Sequence, residues 1–311
     1  MVVTPARYLS LTRAALWSLT VIVISGGAVR LTGSGLGCSD WPNCEKDQLV
    51  SDLEYHGMIE FGNRMFTGVV TIAVVAAVLG SLLRTPRRAD LIRLSWGLVA
   101  GVVAQIILGG LLVKTELDPR FTMGHFLLSM VLLWNAAVLM HRAALADGPV
   151  FAGGWADDHD RAADDRRVIR RLTRAVMAAG AVVLVMGTIV TGSGPHSGSD
   201  EEEVAARLPF LVRDVTRLHS ITAIVLLLLV GVVTSEAHRR GLIGVRRAGL
   251  VVAAFVVAQG VVGYWQYFAG VPVLLVAVHI TLASLAWIHI VRLDLEAGLI
   301  DAPARARLVP A

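Results

Sequence analysis

The sequence predicts an all-α polytopic membrane protein with about eight transmembrane helices, arranged as two pseudo-symmetric four-helix bundles. Three observations carry that expectation. Of 311 residues, 55% are hydrophobic and 17% charged, against about 45–50% and about 25% in ordinary soluble domains. Mean hydropathy is +0.68, which leaves too little polar material to clothe a soluble globule of this size. The apolar residues come in runs of the roughly 17–25 residues that a helix needs to cross a bilayer, and short motifs recur in the two halves.

A helix closes its own backbone hydrogen bonds in lipid, so each apolar run reads as a helical span. The first, 10–30, follows Arg7 and Arg13 and ends near Gly26, Gly27 and Ala28, which resembles a secretory signal. Its apolar stretch runs nearly from Tyr8 to Leu31, and a full span fits better than a short signal core. Three more spans follow at 59–83, 93–113 and 122–141. The link 142–171 is rich in Ala, Asp and Arg and reads as a solvated connector. Beyond it come spans at 172–191, 215–235, 248–268 and 272–292. The chain thus divides into an N-terminal half (1–145), a connector (146–171) and a C-terminal half (172–311).

The net charge of +4 is not a nucleic-acid footprint, because its arginines sit in short links between spans, where they set orientation. Arg84, Arg87, Arg88 and Arg93, then Arg142 through Arg174, then Arg239, Arg240, Arg246 and Arg247 occupy one set of links. The other set carries the acidic run Asp200, Glu201, Glu202 and Glu203. The positive-inside rule puts the first set and both termini in the cytoplasm. Cys38 and Cys44 then lie outside, where a disulfide can persist.

The halves repeat. Leu31-Thr32-Gly33-Ser34-Gly35 after span one matches Val190-Thr191-Gly192-Ser193-Gly194 after span five, an offset of 192 − 33 = 159. His125 and His279 open spans four and eight at an offset of 279 − 125 = 154. Duplication of a four-helix unit fits, with its symmetry axis along the membrane normal.

Ionisable residues inside a bilayer are costly and usually mark function. His125, His219 and His279 each fall in the first turns of a span that starts on the outer side, so they share a depth. His141, His159, His238 and His289, at the opposite span ends, read as solvated surface. Span two has no such histidine: the corresponding segment is Glu60-Phe61-Gly62-Asn63-Arg64. Glu60 is either a functional carboxylate or an interfacial residue paired with Arg64. A haem iron takes two axial imidazoles from facing helices, and His219 with His279 suits that arrangement. Two cysteines around Trp41-Pro42 make either a structural staple or an electron-handling thiol pair. Arg30, Arg64 and Arg217 lie near outer span ends, where they either meet haem propionates or snorkel to headgroups.

At these residues the chain resembles the haem A synthase family of bacterial membrane enzymes. The matching pieces are Gly33-Ser34-Gly35-Leu36 running into Cys38, Trp41-Pro42 and Cys44, the Glu60 segment, and His125, His219 and His279. The resemblance implies oxidation of a ring methyl of haem O to the formyl group of haem A, for terminal oxidase assembly. It implies haem b as cofactor, ligated by His219 and His279. It also implies a substrate haem O site in the N-terminal half, with His125 on the iron and Glu60 as the catalytic carboxylate. A haem O synthase and an electron donor would be partners in the bilayer, and association with a second copy is left open. Asn63 departs from the pattern, standing where the family has a haem-ligating histidine; an amide is a poor ligand for haem iron, so His125 would hold the substrate iron alone. Two readings from other classes stay beside this one. A b-type electron-transfer subunit would use the same histidine pair without a substrate site, and a transporter would also show repeats.

Overall fold

The computed structural model describes residues 2–45, 54–145, 147, 159–199 and 206–299, with only the backbone at 159–162. The acidic run from Asp200 to Glu203 and most of the connector before 159 lie outside them. Eight helices account for nearly all the rest: α1 (Pro5–Leu31), α2 (Tyr55–Leu83), α3 (Ala89–Lys114), α4 (Pro119–Ala144), α5 (His159–Ser193), α6 (Val212–Arg239), α7 (Ile243–Phe268) and α8 (Val273–Ala297). All eight are long and apolar enough to cross a membrane. The chain is a multi-pass membrane protein.

Local chemistry starts several of these helices. Thr4 Oγ1 accepts the Arg7 N–H at 3.3 Å ahead of Pro5, and Asp118 accepts the Arg120 N–H at 2.9 Å ahead of Pro119. Both are N-caps followed by a proline whose missing donor costs nothing in the first turn. Pro272 precedes α8 after a tight turn in which Gly270 takes φ +79°.

α5 differs from the expected span. It begins at His159 rather than near 172, so the second half of the expected connector is helix. This part carries an amphipathic seam instead of a continuous apolar run. Ile169 is fully buried there, and the seam continues into the expected span with Val176, fully buried, and Thr173, whose Oγ1 donates to Asp294 Oδ1 of α8 at 2.7 Å. Arg240, which caps α6, pairs with Asp165 and, at 2.8 Å, with Glu236. Hydropathy registers what lipid touches and misses a helix that continues past it.

The helix contacts repeat under a shift of four. α1 touches α2 and α4, and α3 touches α2 and α4; the same four contacts recur among α5, α6, α7 and α8. The two sets meet through α4·α8, α1·α8 and α4·α5. One apolar core runs through both. Small residues let the backbones close in, as membrane helices require: a Cβ on Gly101 would lie 2.4 Å from Leu132, and one on Gly80 would lie 2.6 Å from Leu11. Polar groups inside the core bond across helices. Tyr8 and Ser95 hydroxyls pair at 3.0 Å, and Asn135 Nδ2 donates to the Leu94 carbonyl at 3.1 Å. The indole of Trp287 donates to the Met130 carbonyl at 2.8 Å and ties α8 to α4.

At the end of the bundle that carries the cysteines, the repeated loops join the halves. Gly35 N–H donates to the Gly198 carbonyl at 2.8 Å beside a Ser34–Ser199 bridge. Arg30 crosses the same seam, its Nε on the His196 carbonyl at 2.9 Å and its Nη2 on Thr191 at 3.2 Å.

Candidate functional site

A cavity of about 1460 Å³ runs through both sets of helices. Drug-sized pockets span roughly 300–1,000 Å³, so this one exceeds a single small ligand. His125, Glu60 and Asn63 line it in the N-terminal set, and His219 and His279 line it in the C-terminal set. The fold therefore brings the site residues expected from sequence, the cysteine pair aside, into one space.

His125 and His279 are each the seventh residue of their helix (119 to 125, 273 to 279), and equal depth follows from that register. The rings of His219 and His279 lie edge to face, with centroids 6.3 Å apart and planes at 68°. An iron between two imidazoles, with bonds of about 2 Å and nitrogens about 1 Å from each ring centre, separates the centroids by roughly 6 Å. Among the described residues, no third His, Cys, Asp or Glu converges to make a metal-ion cluster. The pair fits a haem sandwiched between α6 and α8. The Nδ1 atoms of His125 and His279 are buried without a hydrogen-bond partner among the described residues.

Glycines make room for the imidazoles. A Cβ on Gly263 would lie 3.3 Å from His279 Cε1, one on Gly187 3.2 Å from His219 Cε1, and one on Gly109 3.7 Å from His125 Cε1. Two glutamines complete the setting, and sequence reasoning missed both. Gln105 Nε2 donates to the His125 carbonyl at 3.1 Å, and Gln259 Nε2 to the His279 carbonyl at 3.0 Å. The offset of 154 that relates the two histidines also relates Gln105 to Gln259 and Gly109 to Gly263. That coincidence was the available signal.

Glu60 is buried, and both of its oxygens are engaged. Oε2 accepts the Cys38 backbone N–H at 2.8 Å; Oε1 accepts from Arg64 Nη2 at 2.6 Å and Nε at 3.1 Å. Arg64 Nη1 reaches on to the carbonyls of Asp40 and Asn43, at 2.9 and 3.0 Å. The carboxylate and its arginine thus clamp the loop that the Cys38–Cys44 disulfide closes, whose Cα atoms lie 4.4 Å apart. Trp41 and Pro42 of that loop line the cavity, and the Trp41 ring rests against Gly110 of α3.

Arg30 and Arg64 line the cavity as well, and both already hold protein partners: Arg30 donates to the His196 and Thr191 carbonyls, and Arg64 to Glu60 and the Asp40 and Asn43 carbonyls. Arg217 lines the cavity, is exposed, and makes no hydrogen bond to the described residues. Nor are all four histidines at the opposite span ends solvated: His289 is half-buried and stacks on Phe255 at 4.9 Å, and His141 is half-buried as well. The polar end of the bundle is packed, which a count of flanking arginines does not reveal.

Eight apolar helices around a cavity lined from both repeated sets define a multi-pass membrane protein with a large internal space. The family described as "COX15-CtaA: Cytochrome oxidase assembly protein" matches residues 9–54 and 49–291. The chain belongs to that family. Among individual proteins, it is 33% identical to "Heme A synthase" of Geobacillus kaustophilus (strain HTA426) over 107 residues, 34% of this chain and 33% of the relative. It is 30% identical to "Heme A synthase" of Geobacillus thermodenitrificans over 34% of this chain and 33% of the relative. It is 26% identical to "Heme A synthase" of Oceanobacillus iheyensis over 39% of this chain and 40% of the relative. These alignments span a third to two-fifths of the relatives' length.

Proposed function

We propose that this chain is a haem A synthase, which oxidises a ring methyl of haem O to the formyl group of haem A for oxidase assembly. The observation that carries the reading is one cavity holding a histidine pair in one half and a single histidine in the other. His219 and His279 would hold haem b, and their 6.3 Å centroid separation suits that group. When bound there, haem b supplies one-electron chemistry. Haem O would occupy the N-terminal half with His125 on its iron.

The chain's own residues do the rest. Gln105 and Gln259 hold the backbone of the two α4 and α8 histidines, and the glycines beside the rings set how close each imidazole stands to its helix neighbour. Glu60, through Cys38 and Arg64, fixes the disulfide loop and so holds Trp41 and Pro42 in the cavity wall, where they would bound the space open to the substrate. Arg217 would take an anionic edge of a haem, as a guanidinium does with carboxylates. The arginine-rich face would lie in the cytoplasm and the disulfide loop outside, with haem O arriving from its synthase and electrons from an external donor.

The test is pigment analysis of the purified protein after co-expression with a haem O source. Haem b together with haem A, or with a hydroxylated precursor, is the expected result. Haem b with haem O untouched would overturn the synthase reading in favour of a b-type electron-transfer subunit.

A further inference from the structure

The N-terminal position that corresponds to His219 departs from the repeat in a way that leaves a space. Six of the seven α1 residues that line the cavity, all but Val29, recur on α5 at an offset of 161, from Gly180 to Thr191, two more than the offset of the loop motifs that follow. Gly26 therefore corresponds to Gly187. On α2 and α6 the cavity-lining positions Glu60, Asn63, Arg64, Thr67 and Val70 recur at an offset of 156, so Asn63 corresponds to His219. In the C-terminal half, a Cβ on Gly187 would meet His219 Cε1 at 3.2 Å; in the N-terminal half, nothing lies within 4 Å of a Cβ on Gly26. The glycine is present and the ring it would accommodate is not.

Asn63 does not fill the gap. Its Oδ1 accepts a hydrogen bond from Ser25 Oγ at 2.7 Å. That bond leaves the two Nδ2 donors without a partner among the described residues, on a side chain that lines the cavity. An amide donor beside unfilled volume, at the repeat position of His219 and in the same cavity as His125, is suited to a small acceptor and not to ligating iron.

We propose that Ser25, Gly26 and Asn63 form a distal pocket that admits a diatomic ligand to the open face of a haem iron held by His125, with Asn63 Nδ2 donating a hydrogen bond to it. This rests on the proposed haem sites in both halves. The C-terminal pair would remain closed to such a ligand, because both faces of its iron are taken.

The full chain is loaded with two equivalents of iron protoporphyrin IX, reduced, and titrated with carbon monoxide. Two haems per chain are expected, one low-spin and unreactive, the other high-spin and binding one carbon monoxide. Asn63→His should make both haems low-spin and abolish carbon monoxide binding. Gly26→Ile, which fills the space without supplying a ligand, should weaken binding at least about tenfold at unchanged haem stoichiometry. Asn63→Leu should retain binding but shift the C–O stretching frequency, a change that a purely structural role would not produce. The low-spin haem of the C-terminal half reports in every variant that the chain is folded. A wild-type protein with two low-spin haems, or an Asn63→His variant that still binds carbon monoxide, overturns the pocket while leaving the haem sites standing. A wild-type chain that takes up a single haem overturns the pair of haem sites and the pocket with it.

Discussion

Gly187 and Gly263 decide how close two imidazoles stand to their neighbouring helices. A valine at either position places methyls into a ring whose nearest carbon would be 3.2 or 3.3 Å from the Cβ alone. Gly187→Val and Gly263→Val should each lower low-spin haem per chain by roughly tenfold, about 1.4 kcal/mol of binding, read from the reduced spectrum. Gly231→Ala on α6, with nothing within 4 Å of its Cβ, should leave that spectrum unchanged. Glu60 acts on a different object, the loop. Glu60→Ala strands Arg64 and the Cys38 N–H together and should destabilise the protein by about 3 kcal/mol, seen as a lower thermal unfolding midpoint in detergent. Glu60→Gln keeps an acceptor for Cys38 and should cost less. Both variants should keep the low-spin haem and lose formyl product. The histidines and Glu60 were legible in the sequence because an ionisable group in an apolar run is conspicuous. Glu60's bonds to the loop were not, since they join residues about twenty positions apart through a turn that sequence does not fix.

Helices were the most readable level. Seven of the eight predicted spans fall inside their helices and the eighth starts one residue early, at Pro272; most are short by a few residues, because hydropathy locates the lipid-facing centre and not the polar terminal turns. α5 is the exception with a cause: its early turns are held by Asp165 on Arg240, a long-range contact that no local hydropathy reports. The cysteine loop is the other element whose role depends on tertiary structure. Closing so short a loop stabilises by about 2 kcal/mol in the chain-entropy view. Cys38→Ser should show that loss, and should also free Trp41 from Gly110. Indole fluorescence that moves toward the solvent-exposed range would register the release. Unchanged fluorescence would mean that the Glu60–Arg64 clamp alone keeps the loop in place.

At the scale of the whole molecule, the contact pattern of α1 to α4 recurs in α5 to α8, beside the sequence offsets of 159 and 154 that suggest a duplicated unit. What the repeat hid is the seam, where Arg30, Gly35 and Trp287 each bond across halves and join two bundles around one cavity. The central claim is that the copies divide the work: one holds a closed cofactor and the other holds the substrate. The direct measurement is the haem complement of His279→Leu beside that of His125→Leu, both co-expressed with a haem O source. His279→Leu should lose the low-spin haem b spectrum, whereas His125→Leu should keep it and yield no haem A. Low-spin haem b surviving in His279→Leu, or haem A formed by His125→Leu, would contradict the account.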